Sequence, residues 1–189
     1  MREYLEATAI VDWDRPEVLA LARRLAEGQA DPAGVARRCF CWVRDEIKHS
    51  GDHRLDPVTC SASEVLRHGT GFCYAKSHLL VALLRANAIP AGFVYQRLSV
   101  DGEGPPFCVH GLVAAHLAET GWYRMDPRGD RAGIVTAFEP PVERLAFTPR
   151  LEGETTLEGV ASAPLAIVVE ALSRGGTCAE LLASLPDWD

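Results

Sequence analysis

Cys73, His110 and Asp126 are the residues whose types and placement offer a reaction. Cys73 closes the run Gly69-Thr70-Gly71-Phe72-Cys73 and opens an apolar stretch that reads as a helix. At a helix N-terminus the free N–H groups and the macrodipole favour negative charge. A thiol there is biased towards its thiolate. The two glycines let the backbone turn sharply and let a substrate come close. The same free N–H groups can hold an oxyanion. A thiolate nucleophile needs a base, and the base needs an orienting group. His110 stands near the start of a long strand-like run and Asp126 at the end of the next. Antiparallel neighbours bring such positions together. An aspartate accepting from one ring nitrogen fixes the tautomer and supports the imidazolium that pairs with the thiolate. The chemistry expected is attack on an amide carbonyl through a thioester. Each residue also fits a plainer role: a buried helix-start cysteine, a core strand histidine, a turn aspartate before Pro127. The order helix-start Cys, strand-start His, strand-end Asp favours the triad.

Other candidates carry less. Asp45, His49, Asp52, His53 and Asp56 include residue types that bind divalent ions. They mix a helix end with a polar stretch and have no metal-ligand spacing, so a solvated loop is expected. His116 shares strand parity with His110 but lies roughly 20 Å along the strand, a surface or second-layer position. His78 is five residues beyond Cys73 and points to a different helix face. Arg128 and Asp130 read as loop anchors more than as substrate ligands. The six cysteines form no C-x-x-C pair, so a zinc ribbon or thioredoxin-type motif is not indicated.

Several elements must position the three residues. Asp14 and Pro16 open a helix with Val18, Leu21, Ala22 and Leu25 on one face. Asp31-Pro32 opens a second, running to about Ile47, with a stripe of Ala36, Phe40, Val43 and Ile47. His49 to Thr59 is polar and reads as a loop. Ser61 to Glu64 has capping-box spacing and starts a short helix stopped by Gly69. The helix from Cys73 carries Leu79, Leu80, Leu83 and Leu84 and stops at Asn87. The period then changes: strands are expected at 92–98, 107–117 and 122–126, joined by turns at 101–106 and 119–121 as an antiparallel meander. Beyond Gly129 the chain passes Pro140, Pro141 and Pro149 before two helices within 164–185. Helices followed by grouped strands indicate an α+β fold, with N-terminal helices on an antiparallel sheet.

Bulk properties agree. The chain has 189 residues, 48% hydrophobic and 24% charged, an ordinary globular balance. One domain covering 1–189 is expected, its core about 14–133, with a helical annex at 150–189. The net charge of −7 disfavours a nucleic-acid partner. No apolar run approaches the roughly 20 residues that span a bilayer, and Met1 to Glu6 does not open like a signal peptide. A cytoplasmic location away from membranes is the expectation.

From about Val43 to Gly133 the chain resembles the transglutaminase-like superfamily of papain-type cysteine enzymes, in a small bacterial branch. Trp42-Val43-Arg44-Asp45-Glu46-Ile47 is similar to the family's pre-catalytic helix. Ala62-Ser63-Glu64-Val65-Leu66, Gly71-Phe72-Cys73-Tyr74-Ala75-Lys76-Ser77 and Leu83-Leu84-Arg85-Ala86-Asn87-Ala88-Ile89-Pro90-Ala91 resemble its nucleophile block. His110 and Gly121-Trp122-Tyr123-Arg124-Met125-Asp126 fit its His and Asp strands. Gly111-Leu112 departs from it, since many members carry an aromatic residue there. The resemblance implies that Cys73 attacks a glutamine side chain or a peptide bond of a peptide or protein, and that His110 protonates the leaving amine. The thioester then passes to water (peptidase or amidase) or to an amine (transglutaminase), with no metal or organic cofactor. A non-catalytic binding module that kept the fold is the alternative. An arylamine N-acetyltransferase fits less well, because its cysteine motif differs from Phe72-Cys73-Tyr74-Ala75.

Overall fold

The structure, a computed structural model, describes residues 1–188. Its first half is helical for reasons visible in the caps. Pro16 starts α1 (Pro16–Ala26), which buries Val18, Leu21, Ala22 and Leu25. The Asp31 side chain accepts from Gly34 N at 2.7 Å and starts α2 (Pro32–Glu46), which buries Ala36, Cys39, Phe40 and Val43. These stripes fall at helical spacing and face one core.

The stretch His49–Thr59, expected as a loop, is more ordered than that. Lys48–His49 (β1) pairs in parallel with Thr70–Gly71 (β2), and Ser50–His53 (α3) forms one helical turn between. Ser50 Oγ lies 2.9 Å from Thr70 Oγ1, and Thr59 Oγ1 donates to Thr70 O at 2.9 Å. Elements this short show no periodicity, so only distant partners define them. Between them, α4 (Ala62–His68) opens on a reciprocal Ser61–Glu64 capping box.

The centre of the molecule is α5 (Cys73–Ala86), buried from Cys73 to Arg85. Helices α1, α2 and α4 pack against it on one side, β3 (Ala91–Ser99) and β4 (Phe107–Leu117) on the other. A helix surrounded in this way can be apolar on all faces. Its buried cations find carbonyls: Lys76 Nζ donates to Arg44 O and Ile47 O, and Arg85 to the carbonyls of Glu6, Ala91 and Ser162. Strand β5 (Gly121–Met125) completes the expected meander. The hairpin of β6 (Ala137–Glu139) and β7 (Val142–Arg144) follows, and then β8 (Thr155–Thr156), giving a four-stranded antiparallel sheet in the order β5-β4-β3-β8. The fold is α+β, helices against an antiparallel sheet. Two last helices, α6 (Ala166–Ser173) and α7 (Cys178–Ala183), add Val168, Leu172, Cys178 and Leu181 to the same core. Among the described residues no helix is long and apolar enough to cross a membrane.

Candidate active site

The β1–β2 pair sets the backbone that leads into Cys73. Gly71 has no room for a side chain: a Cβ there would stand 3.0 Å from Ala75 Cβ and 3.2 Å from Thr59 Oγ1. Phe72 is the N-cap of α5 and supplies no side-chain cap. The first-turn N–H groups therefore face the space beside Cys73 without a capping side chain. Cys73 itself is 7% exposed.

Two side chains of α5 fasten that helix start to β4 on either side of His110. Tyr74 Oη donates to Val109 O at 2.6 Å, and Ser77 Oγ donates to Gly111 O at 3.2 Å and to Cys73 O at 2.8 Å. Gly111 permits this approach, because a Cβ there would lie 3.2 Å from Tyr74 Cδ1 and 3.4 Å from Tyr74 Cα. A bulky residue after His110 would push the helix away. The glycine that departs from the family pattern has a packing role here.

His110 Nε2 lies 2.7 Å from Asp126 Oδ2. The register pairs Val113 with Met125, so Asp126 follows β5 and reaches His110 as a diagonal neighbour. Asp126 is fully buried and also accepts from Arg128 N at 3.0 Å and Ala146 N at 3.2 Å. Burial works against its charge, yet His110 and these N–H groups hold its carboxyl below the ordinary value. Burial would likewise lower His110. The Asp126 charge, the Cys73 sulfur and a hydrogen bond from the ring to each outweigh it and raise His110 from 6.5 to about 10. With Nε2 on Asp126, Nδ1 is the ring nitrogen left to face Cys73. The structure thus brings all three sequence-selected residues together, in a protonation pattern that favours imidazolium.

A second layer surrounds them. Arg128 binds Asp52 with two hydrogen bonds at 2.8 and 2.9 Å, a fork that fixes the loop whose backbone N–H holds Asp126. The anchor role expected for Arg128 matches this geometry. Asp130 accepts from Thr136 N at 2.9 Å. His49 is turned inward, its side chain 12% exposed, with its ring edge-on to Phe72 at 5.8 Å. Burial and the Arg128 charge push His49 down to about 3, so it stays neutral. The solvated loop expected for His49 and Asp52 is therefore a docked segment, pulled in by Arg128. The other carboxylates of that segment also have partners: Asp45 pairs with Arg44, and Asp56 accepts from Cys178 N. Among the described residues no group of three or more His, Cys, Asp or Glu is placed to hold a metal. His116 lies against Trp122, 5.4 Å between rings, away from the site. His78 is fully buried with Nδ1 2.7 Å from Cys60 O, and burial lowers it to about 4.

Sequence reasoning missed Phe147 and Gln96. The Phe147 ring stands edge-on to His110 at 5.0 Å; it follows an irregular proline-rich stretch with no periodic signal. Gln96 sits directly across from His110 in the β3–β4 register, is 2% exposed, and its Oε1 has no protein partner. The signal available was one uncharged polar residue after Phe93-Val94-Tyr95, and strand register was needed to use it.

The sequence model of the transglutaminase-like superfamily matches residues 19–127, a span that contains Cys73, His110 and Asp126. No curated protein matches the sequence. Among solved structures, a candidate cysteine protease from Cytophaga hutchinsonii superposes with TM-score 0.51 at 20% identity, over 66% of this chain and 40% of that one. The periplasmic domain of TgpA from Pseudomonas aeruginosa gives 0.47 at 20% identity, over 66% and 45%. The chain thus spans less than half the length of these relatives. The first likeness extends the match to the fold.

Proposed function

The chain belongs to the transglutaminase-like superfamily, and on that premise we propose that it is a cysteine enzyme cleaving or transferring acyl groups at amide bonds. The observation that carries this reading is the buried chain of contacts from Cys73 through His110 to Asp126. In the proposed cycle the Cys73 thiolate attacks the carbonyl carbon of a peptide bond or glutamine side chain. The carbonyl π electrons move to oxygen, and the first-turn N–H groups of α5 receive that oxyanion. Collapse restores the carbonyl and breaks the C–N bond. His110 gives its proton to the departing nitrogen, and a thioester on Cys73 remains. Neutral His110 then takes a proton from water or from an amine, which attacks the thioester and releases Cys73 as thiolate beside imidazolium. Asp126 holds the ring orientation throughout.

The proposed substrate is a peptide or protein with an accessible amide. Acceptor choice would follow from water exclusion around the thioester. The test is a scan of glutamine-containing and ordinary peptides, with and without an added primary amine. Ammonia release without amine incorporation would identify a hydrolase, and incorporation a transglutaminase. Either activity should vanish in Cys73→Ala. No turnover with any amide, in protein whose Cys73 is accessible to small reagents, would overturn the reading.

A further inference from the structure

The site is covered by the chain's own residues. Helix α7 docks beside the residue that precedes Cys73: Leu182 Cδ2 and Phe72 Cε1 each lie 3.4 Å from where a Cβ on Gly51 would stand. Cys178 N donates to Asp56 Oδ1 at 2.6 Å, and Cys178 Sγ lies 3.3 Å from Ser50 O, fixing the helix there. The segment after α7 is fastened at its other end to the residue that precedes His110. Val109 N donates to Pro186 O at 2.8 Å. Asp187 takes a two-point hydrogen bond from Arg97 at 2.6 and 2.7 Å. Leu185 and Trp188 pack on the core and Pro186 is buried.

That docking uses an unpaired strand edge. Strand β5 pairs with β4 only from Val113 to Leu117, so the outer edge of β4 near His110 is open to another chain. Val109 turns its C=O to Tyr74 and its N–H to Pro186. Residues 183–186 therefore run from the neighbour of the nucleophile to the neighbour of the base. Cys108, half-buried on the same stretch of β4, is pushed up to about 12 by burial, with Cys73 and Asp187 both adding to the rise. Both the sulfur and the Asp187 carboxylate thus lie near one side chain. Cys73 and His110 are only 7% and 5% exposed, too little for an acyl donor to reach them without displacing something.

We propose that residues 184–188 are an internal occupant of the acyl-donor cleft, and that an extended peptide substrate displaces them by taking the Val109 N–H at the edge of β4. This is strand addition, in which main-chain hydrogen bonds bind and side chains select. Arg97 adds a preference: the substrate should carry an acidic residue where Asp187 now sits. The inference rests on the amide-cleaving reading of the same site, but its test does not need turnover.

The probe is iodoacetamide, with alkylation of Cys73 followed by peptide mapping. Three proteins are compared: wild type, Asp187→Asn, and a variant lacking residues 184–189, each checked for folding by its melting transition. Cys73 should react several-fold faster in Asp187→Asn and by about tenfold or more in the shortened variant, since a closed cleft exposes the thiol only in its open fraction. The peptide Ala-Ser-Leu-Pro-Asp-Trp should slow the shortened variant again, and the same peptide with Asn for Asp should do so less. If Asp187→Asn and the shortened variant, both folded, alkylate at the wild-type rate, or if the peptide gives no protection, the proposal is overturned. Should the shortened variant not fold, Asp187→Asn decides alone. Faster alkylation without amide turnover would retain the strap and reject the enzyme. Turnover that all three share at unchanged alkylation rates would do the reverse.

Discussion

Asp126→Asn changes one atom type in a fully buried carboxylate and asks what holds the imidazolium. The side chain keeps its shape but loses its charge, and one of the N–H groups of Arg128 and Ala146 would then face an amide NH2. The rise of His110 from 6.5 to about 10 corresponds to roughly 5 kcal/mol in favour of the protonated ring. Burial opposes that rise, and the Asp126 charge is the first of the groups that produce it. Without it, burial is left against the Cys73 sulfur alone, and His110 should fall well below about 10. The imidazolium beside Cys73 would be depleted at neutral pH. Alkylation of Cys73 near pH 7 should fall by about 10²–10³. The assay is the alkylation rate from pH 5 to 10, with wild type and variant compared in the same covered state of the cleft. A thermal companion follows from linkage. The folded ring keeps its proton to higher pH than the unfolded one, so its stabilisation is complete below pH 6.5 and is lost as pH rises towards about 10. The variant should lack that loss. An unchanged alkylation profile in a folded Asp126→Asn protein would refute the role given to the carboxylate.

Lys76 should act in the opposite sense. Burial brings it down from 10.5 to about 7, so over that window the unfolded chain holds more protons and this lysine makes stability rise with pH. Lys76→Met should therefore steepen the alkaline decline in denaturant melts between pH 7 and 10; a shallower decline would contradict this. Gly111→Ala should cost about 1–3 kcal/mol in urea unfolding, because its methyl meets Tyr74 at the helix–strand contact; a neutral result would mean the contact yields. Arg128→Ala should destabilise by about 2–4 kcal/mol, since it leaves the Asp52 carboxylate without its forked partner. Cys73→Ala should abolish turnover and His110→Ala nearly so. The triple variant with Asp126→Ala should lose little more than Cys73→Ala alone.

The fold was legible where one period ran long enough to speak. The stripes of α1 and α2, the capping box of α4 and the apolar helix from Cys73 each carried their own signal. The turns at 101–106 and 119–121 bounded the run from Phe107 to Leu117, which is β4 with those limits. His110 and Asp126 followed from strand start and strand end, positions that antiparallel order brings together, and Cys73 from its helix start, which Tyr74 and Ser77 fasten to β4. What was not legible depends on distant partners. The β1–β2 pair has two residues a side, and β8 is equally short. Phe147 and Pro186 reach His110 and Val109 from 37 to 77 residues away with no motif. His49 and Asp52 read as solvated until Arg128, 76 residues on, pulls Asp52 in. Local pattern encodes helices and long strands; the covering of the site is written in tertiary contacts.

The most direct measurement is the mass of the protein during reaction. A glutamine-containing peptide is mixed with the wild type, the reaction is quenched in acid, and the intact mass is read. The account predicts an adduct equal to the peptide less ammonia, or to its N-terminal acyl part where a peptide bond is cut, carried on the fragment containing Cys73, discharged by water or added amine, and missing from Cys73→Ala. An adduct on another cysteine, or full turnover by Cys73→Ala, would contradict it.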